Sequence, residues 1–180
     1  MNAPRLSQMG PHEFRRRLSI AGIAALGIGL IAGPGIFDPH PRLVWNASAS
    51  APIGVYRVAN GTPKRGDFVL VRPPEEVARL AAARGYLPRG VPLVKRVAAL
   101  VGDDVCAFHE AIIIAGTVAV KRLRNDAAGR RLPWWNGCGR LAPGEVFLAT
   151  KGVPASFDSR YFGPVPVDHV IGRLVPLWTE

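Results

Sequence analysis

Hydrophobic and polar positions along the chain fall into two regimes. Residues 18–37 carry no charge and are dominated by Leu, Ile, Ala and Gly. That run matches the roughly 20 residues that cross a bilayer as a helix. Beyond it, Val, Ile, Leu and Phe come in short bursts separated by Gly and Pro, the signature of short strands. The bursts predict strands at 54–58, 68–72, 91–97, 111–115, 117–121, 145–149 and 170–176. Ala115-Gly116-Thr117 predicts a hairpin turn. One helix is predicted over 74–84: Pro74 and Glu75 open it, Val77, Leu80 and Ala81 share a face, and Gly85 stops it. Residues 121–139 are polar, basic and turn-rich, and read as an excursion from the sheet. The expected class is mainly β: an antiparallel β domain with one short helix, preceded by a single N-terminal transmembrane helix.

Charge orients that helix. Arg15, Arg16 and Arg17 directly precede the apolar run, with Arg5 further out, and only Arg42 and Arg57 follow it within similar reach. The positive-inside rule puts the N-terminus in the cytoplasm and the rest outside it. The expected organisation is a basic cytoplasmic segment at 1–17, an anchor at 18–37 and an exported domain at 38–180. A cleaved signal peptide is the competing reading, with Ala47-Ser48-Ala49 resembling its cleavage site. Both readings export the domain and permit a disulfide. Cys106 and Cys138 are then most simply a structural disulfide, contributing about 3–4 kcal/mol by closing their loop; two buried free thiols are the alternative. The formal net charge of +10 raises nucleic acid as a partner. The basic residues are scattered, however, and no helix-turn-helix, finger or RNA-binding signature is present. Solvent or lipid headgroups are the expected neighbours of that charge. Two widely spaced cysteines do not match a zinc site, and no cofactor or metal is expected.

Ser50 and Lys95 carry the candidate chemistry. A serine hydroxyl is a weak nucleophile until a base takes its proton. Lysine serves as that base only when neutral, a state that burial favours. Period-two alternation puts Leu93, Lys95 and Val97 on one face of their strand, flanking the lysine with apolar side chains. The ordinary alternative is a lysine that snorkels past them to solvent. His109, His169 and Asp168 invite a Ser-His-Asp reading, but no Gly-x-Ser-x-Gly elbow accompanies them. Ser156, Ser159, Asp158 and Arg160 alone would pass for turn residues and a loop ion pair.

Order and spacing change that assessment. Asn46-x-Ser48-x-Ser50-x-Pro52-x-Gly54-x-Tyr56 comes first, then Lys95-Arg96-Val97 with Gly102-Asp103. Ser156-x-Asp158-Ser159-Arg160-Tyr161-Phe162-Gly163 follows. Together they resemble the type I signal peptidase family of membrane-anchored serine-lysine proteases, and in particular its TraF-type conjugative-transfer branch. Leu132-Pro133-Trp134-Trp135 and Gly144-Glu145-Val146-Phe147-Leu148 add to the likeness.

The resemblance implies a nucleophile at Ser50 and a general base at Lys95. It implies that Ser48 joins the Ser50 backbone N–H in an oxyanion hole, that Ser156 orients the lysine, and that Asp158 and Arg160 form a supporting polar pair. It further implies a signal-peptidase-like fold on a bacterial inner membrane, with the catalytic domain periplasmic. The partners would be the lipid bilayer and a membrane-held precursor, in this branch a pilin subunit, cut after small residues. Where the general family pattern carries Gly-Asp-Asn, this chain reads Ala149-Thr150-Lys151-Gly152, which leaves the support of Lys95 open. A non-catalytic anchored assembly module of a transfer or secretion apparatus is the competing functional class. Trp134 and Trp135 are left between lipid and core.

Overall fold

The computed structural model describes residues 11–37 and 41–180. The chain divides into two units, residues 1–40 and 41–180. The first contains helix α1, Pro11–Phe37. Its apolar stretch covers the expected span, although the side chains of residues 33–37 lie outside the described ones, as do Arg5 and the boundary at residue 38. Among the described residues no helix is long and apolar enough to cross a membrane.

The second unit is mainly β, as the short apolar bursts predict. Its strands are β1 (Leu43–Asn46), β2 (Gly54–Ala59), β3 (Phe68–Val71), β4 (Leu93–Ala99), β5 (Asp104–Phe108), β6 (Ala111–Ile114), β7 (Thr117–Lys121), β8 (Cys138–Arg140), β9 (Glu145–Leu148), β10 (Val165–Pro166) and β11 (Val170–Thr179). Seven form a sheet in the order β1-β2-β11-β3-β4-β9-β10, and four form a second sheet in the order β7-β6-β5-β8. Every strand pair is antiparallel. Helix α2 (Glu75–Ala83) and the single turn α3 (Ser159–Phe162) complete the elements near the site.

Differences from the sequence expectation have local causes. Strand β4 starts at Leu93 rather than residue 91, because Pro92 cannot donate to a ladder, and it runs on to Ala99 through an irregular pairing with β9. Strand β11 continues past Pro176 because the register with β2 shifts there, which absorbs the missing N–H. The hairpin turn holds: Ala115 and Gly116 both have positive φ, as a tight hairpin requires. The excursion ends earlier than expected, since Cys138 and Gly139 rejoin the second sheet as β8. Cys106 and Cys138 face each other across β5 and β8 and form a disulfide.

The main core lies on the central strands, where Val69, Val71, Val97, Val146, Leu148 and Val165 pack together. Phe147, Ala99 and Ala149 join the second sheet's Val105, Ile112 and Val120 in another cluster, which welds the two sheets. Trp135 packs against that cluster, 5.4 Å from Phe147. Trp134 lies under the Arg122 guanidinium at 4.1 Å and donates Nε1–H to Leu123 O. Both tryptophans are thus engaged by protein. Ala81, Val77 and Leu80 of α2 pack against Phe157 and Tyr161, as the predicted helix face requires.

Candidate active site

Ser50 sits in the turn between β1 and β2, and the turn is organised by one buried amide. Asn46 ends β1 and is 3% exposed. Its Nδ2 donates to the carbonyls of Ser48 (2.9 Å), Ala51 (2.9 Å) and Pro52 (3.0 Å). Its Oδ1 accepts from Ser48 N at 3.2 Å and Ser48 Oγ at 2.8 Å. Carbonyl oxygens only accept, so the amide orientation is fixed by its partners. Tyr56 Oη donates to Pro52 O at 2.7 Å and closes the far end. Gly54 follows because a Cβ there would lie 2.0 Å from the Trp178 carbonyl. The spaced Asn, Ser, Pro, Gly and Tyr of the motif thus become one hydrogen-bonded loop.

Lys95 stands in the middle of β4, paired with Val69 of β3. Its side chain is 4% exposed, so the snorkelling alternative does not apply. Nζ donates to Ser50 Oγ at 2.7 Å and to Ser156 Oγ at 2.9 Å, and the two hydroxyls lie 3.4 Å apart. Ser50 and Ser156 are also buried. Burial pulls the Lys95 pKa down from 10.5 to about 8; Asp158 raises it, Arg160 lowers it, and desolvation dominates. A buried amine that is neutral above pH 8, in contact with a hydroxyl, is equipped to remove that hydroxyl's proton.

Asp158 and Arg160 form a fully buried pair, with Nε to Oδ1 at 2.7 Å and Nη2 to Oδ2 at 2.9 Å. They do not hydrogen-bond Lys95. They hold Thr150 instead: Asp158 Oδ2 accepts from Thr150 N at 3.1 Å, and Arg160 Nη2 donates to Thr150 O at 2.7 Å. Thr150 Oγ1 then donates to Ser50 O at 3.2 Å. The open question left by Ala149-Thr150-Lys151-Gly152 has a physical answer. Ser156 touches the lysine, while the ion pair supports the nucleophile's backbone through Thr150. Asn46 and Thr150 are the two positioning residues missed in the sequence. Asn46 was visible as the first member of its motif, whereas nothing in the sequence marks Thr150.

Ser48 is exposed at the edge of the turn, and its hydroxyl rests on Asn46 Oδ1. The alternative histidines lie elsewhere: His169 Nδ1 is bonded to Arg72 O, and His109 stacks edge-on against Phe108 in the β5–β6 turn. Asp103 caps its own turn by accepting from Leu100 N. A groove of about 750 Å³ opens on Ser50, Lys95 and Ser156, with walls that include Val44, Leu70, Leu93, Val94 and Tyr161. Its volume suits an extended peptide segment, and most of its lining side chains are apolar.

Comparison with known proteins places the chain among relatives of similar length. The family model described as "Signal peptidase, peptidase S26" matches residues 15–178. A conjugal transfer protein TraF from Agrobacterium fabrum (strain C58 / ATCC 33970) is 33% identical over 184 residues, covering 95% of this chain and 98% of that protein. A plasmid transfer protein TraF from Escherichia coli is 30% identical over 180 residues, covering 93% and 97%. A signal peptidase I from Enterococcus faecalis V583, of known crystal structure, aligns with 65% of this chain and all of that one at 21% identity and a TM-score of 0.39.

Proposed function

Because the chain belongs to the signal peptidase S26 family, we propose that it is a membrane-anchored serine endopeptidase acting through Ser50 and Lys95. The contact that carries this reading is the 2.7 Å hydrogen bond between buried Lys95 Nζ and Ser50 Oγ. Ser50 is the nucleophile. Neutral Lys95 turns its lone pair to Ser50 Oγ–H and keeps one N–H on Ser156, which aims the amine. As Oγ attacks the peptide carbonyl, its proton passes to Nζ; the lysine then protonates the departing amine, leaving an acyl-enzyme. Lys95 next activates the nucleophile that releases the acyl group. Ser48 Oγ–H and Ser50 N–H stabilise the oxyanion, with the Ser48 hydroxyl swinging from Asn46 to the new charge.

The substrate is an exported precursor lying extended in the groove and cut after small residues. The conjugal and plasmid transfer names of the relatives support a role in transfer at the cell envelope, and in this reading the precursor is a pilin subunit. The anchor is residues 18–37, where Leu18, Ile23, Leu26 and Ile31 expose apolar surface that water disfavours and lipid accepts. Mass spectrometry of a candidate pilin co-expressed with this chain tests the reading. The wild type should release a shortened product and Ser50→Ala should not. An unchanged precursor in both cultures removes the proposal.

Lys95 must be neutral to act, so the sign of the pH dependence is fixed. Activity should be low below pH 8 and rise through about pH 8 as the buried ammonium loses its proton. A pH–rate profile flat from pH 6 to 9 contradicts this.

The oxyanion role of Ser48 predicts a transition-state effect. Ser48→Ala should lower kcat about 10²–10³-fold with little change in KM. Ser48→Thr keeps the hydroxyl and should retain much of the rate. Steady-state kinetics decide it, since a near-normal kcat for the alanine variant leaves the oxyanion to backbone donors.

A further inference from the structure

The excursion after β7 walls one side of the groove and carries a second cavity that the reaction leaves unused. This cavity, about 450 Å³, is lined by Arg124, Asn125, Arg131, Leu132 and Trp134. Leu132 lines both it and the groove. The walls are built rather than loose. Asn125 bridges to Arg131, Leu132 N donates to Arg124 O at 2.9 Å, and Asp126 N donates to Arg130 O at 2.9 Å, forming a short ribbon. Trp134 is held by the Arg122 guanidinium stacked on its ring; Arg122 is 3% exposed and donates to the carbonyls of His109 and Trp135.

The charge here is unbalanced. Among the described residues neither Arg122 nor Arg131 has a carboxylate partner. Among the described residues Arg124 meets Glu110 alone, in a pair whose side chains are 77% and 54% exposed and therefore easily exchanged. Asp126 nearby is spent on Arg130, Tyr86 and Arg84. In the groove itself, that engaged Asp126 and the base Lys95 are the only charged walls among the described residues. The groove therefore recognises shape, and charge is legible only beside it.

We propose that this cavity is an exosite for a carboxylate side chain, Asp or Glu, of the peptide held in the groove. The proposal rests on the peptidase reading for its occupant. Guanidinium forks match carboxylate oxygens in geometry, and the shared Leu132 wall makes a neighbouring residue of the same peptide the nearest source of such a group. The exosite would fix which peptide bond faces Ser50, a choice that small residues alone leave degenerate.

The test uses the full chain carrying Ser50→Ala, in detergent, with fluorescence anisotropy of labelled short peptides. One peptide is neutral with an Ala-x-Ala motif; the others walk a single Asp along both flanks. Asp at one position should tighten binding about fivefold, and added salt should erode the gain. Arg124→Ala with Arg131→Ala should abolish the gain while leaving the neutral peptide's affinity unchanged. The proposal is overturned if no Asp position tightens binding, or if the gain survives in the arginine variant. It is equally overturned if that variant loses binding to phosphatidylglycerol vesicles with all peptide affinities intact, since the cavity then serves lipid headgroups. Cleavage by the wild type is read separately. An arginine-dependent gain without cleavage sinks the peptidase reading alone, and cleavage of the neutral peptide without any gain sinks the exosite alone.

Discussion

Lys95→Ala should cut precursor cleavage by at least about 10²–10⁴-fold, the usual contribution of a general base, and Ser50→Ala should abolish it. The double variant should be no worse than the poorer single variant, because nucleophile and base act as one unit. Geometry makes the test sharp. Lys95 Nζ is the only amine bonded to Ser50 Oγ among the described residues, and His109 and His169 are occupied elsewhere. Among the described residues no other titratable side chain bonds Ser50 Oγ and could substitute for the base. Lys95→Ala opens space beside Leu93 and Val97, so thermal unfolding must accompany the kinetics. A folded Lys95→Ala enzyme that keeps more than about a tenth of wild-type activity refutes the dyad. So does a double variant whose loss is the product of the two single losses.

The parts of this fold that were legible in the sequence are those where periodicity and composition agree. The apolar runs of β3, β4, β6 and β9 predicted strands because those strands are buried at the sheet centre. Strand β1 was missed because Leu43 and Trp45 face outward and leave no core pattern. Strand β8, Cys138-Gly139-Arg140, has no apolar residue to declare it beyond its cysteine, and its pairing follows from β5. The single turn α3 is too short for any helical period to register.

The site divides along the same line. Ser50, Lys95 and Ser156 could be read because each is chemically unusual in its context and their order is informative. The duties of Asn46 were hidden because they depend on how a turn folds back on one amide. Thr150 was hidden because its partner Ser50 is 100 residues away. Sequence pattern reports local period and residue chemistry; it does not report which backbone carbonyl a distant hydroxyl will meet.

Breaking the Asp158–Arg160 pair should have the largest effect on stability. Asp158 is 0% and Arg160 1% exposed, and the carboxylate also accepts from Thr150 N and Arg160 N. Asp158→Ala leaves a guanidinium buried with only carbonyl partners, and should cost about 3–5 kcal/mol. Replacing both residues with apolar side chains should recover much of that, because the stranded charge is then gone. Denaturant unfolding of the two variants measures the difference, and a single variant costing under about 1 kcal/mol would place the pair in solvent. The pH profile adds a test that stability alone cannot mimic. Asp158 raises the Lys95 pKa and Arg160 lowers it. The acid limb of any folded Asp158→Ala enzyme should therefore move to lower pH, and that of Arg160→Met to higher pH. Limbs that stay fixed, or that move together, would mean the pair supports the fold without acting on the base. Opposite shifts would mean that one buried ion pair both props the Ser50 backbone through Thr150 and balances the proton affinity of Lys95.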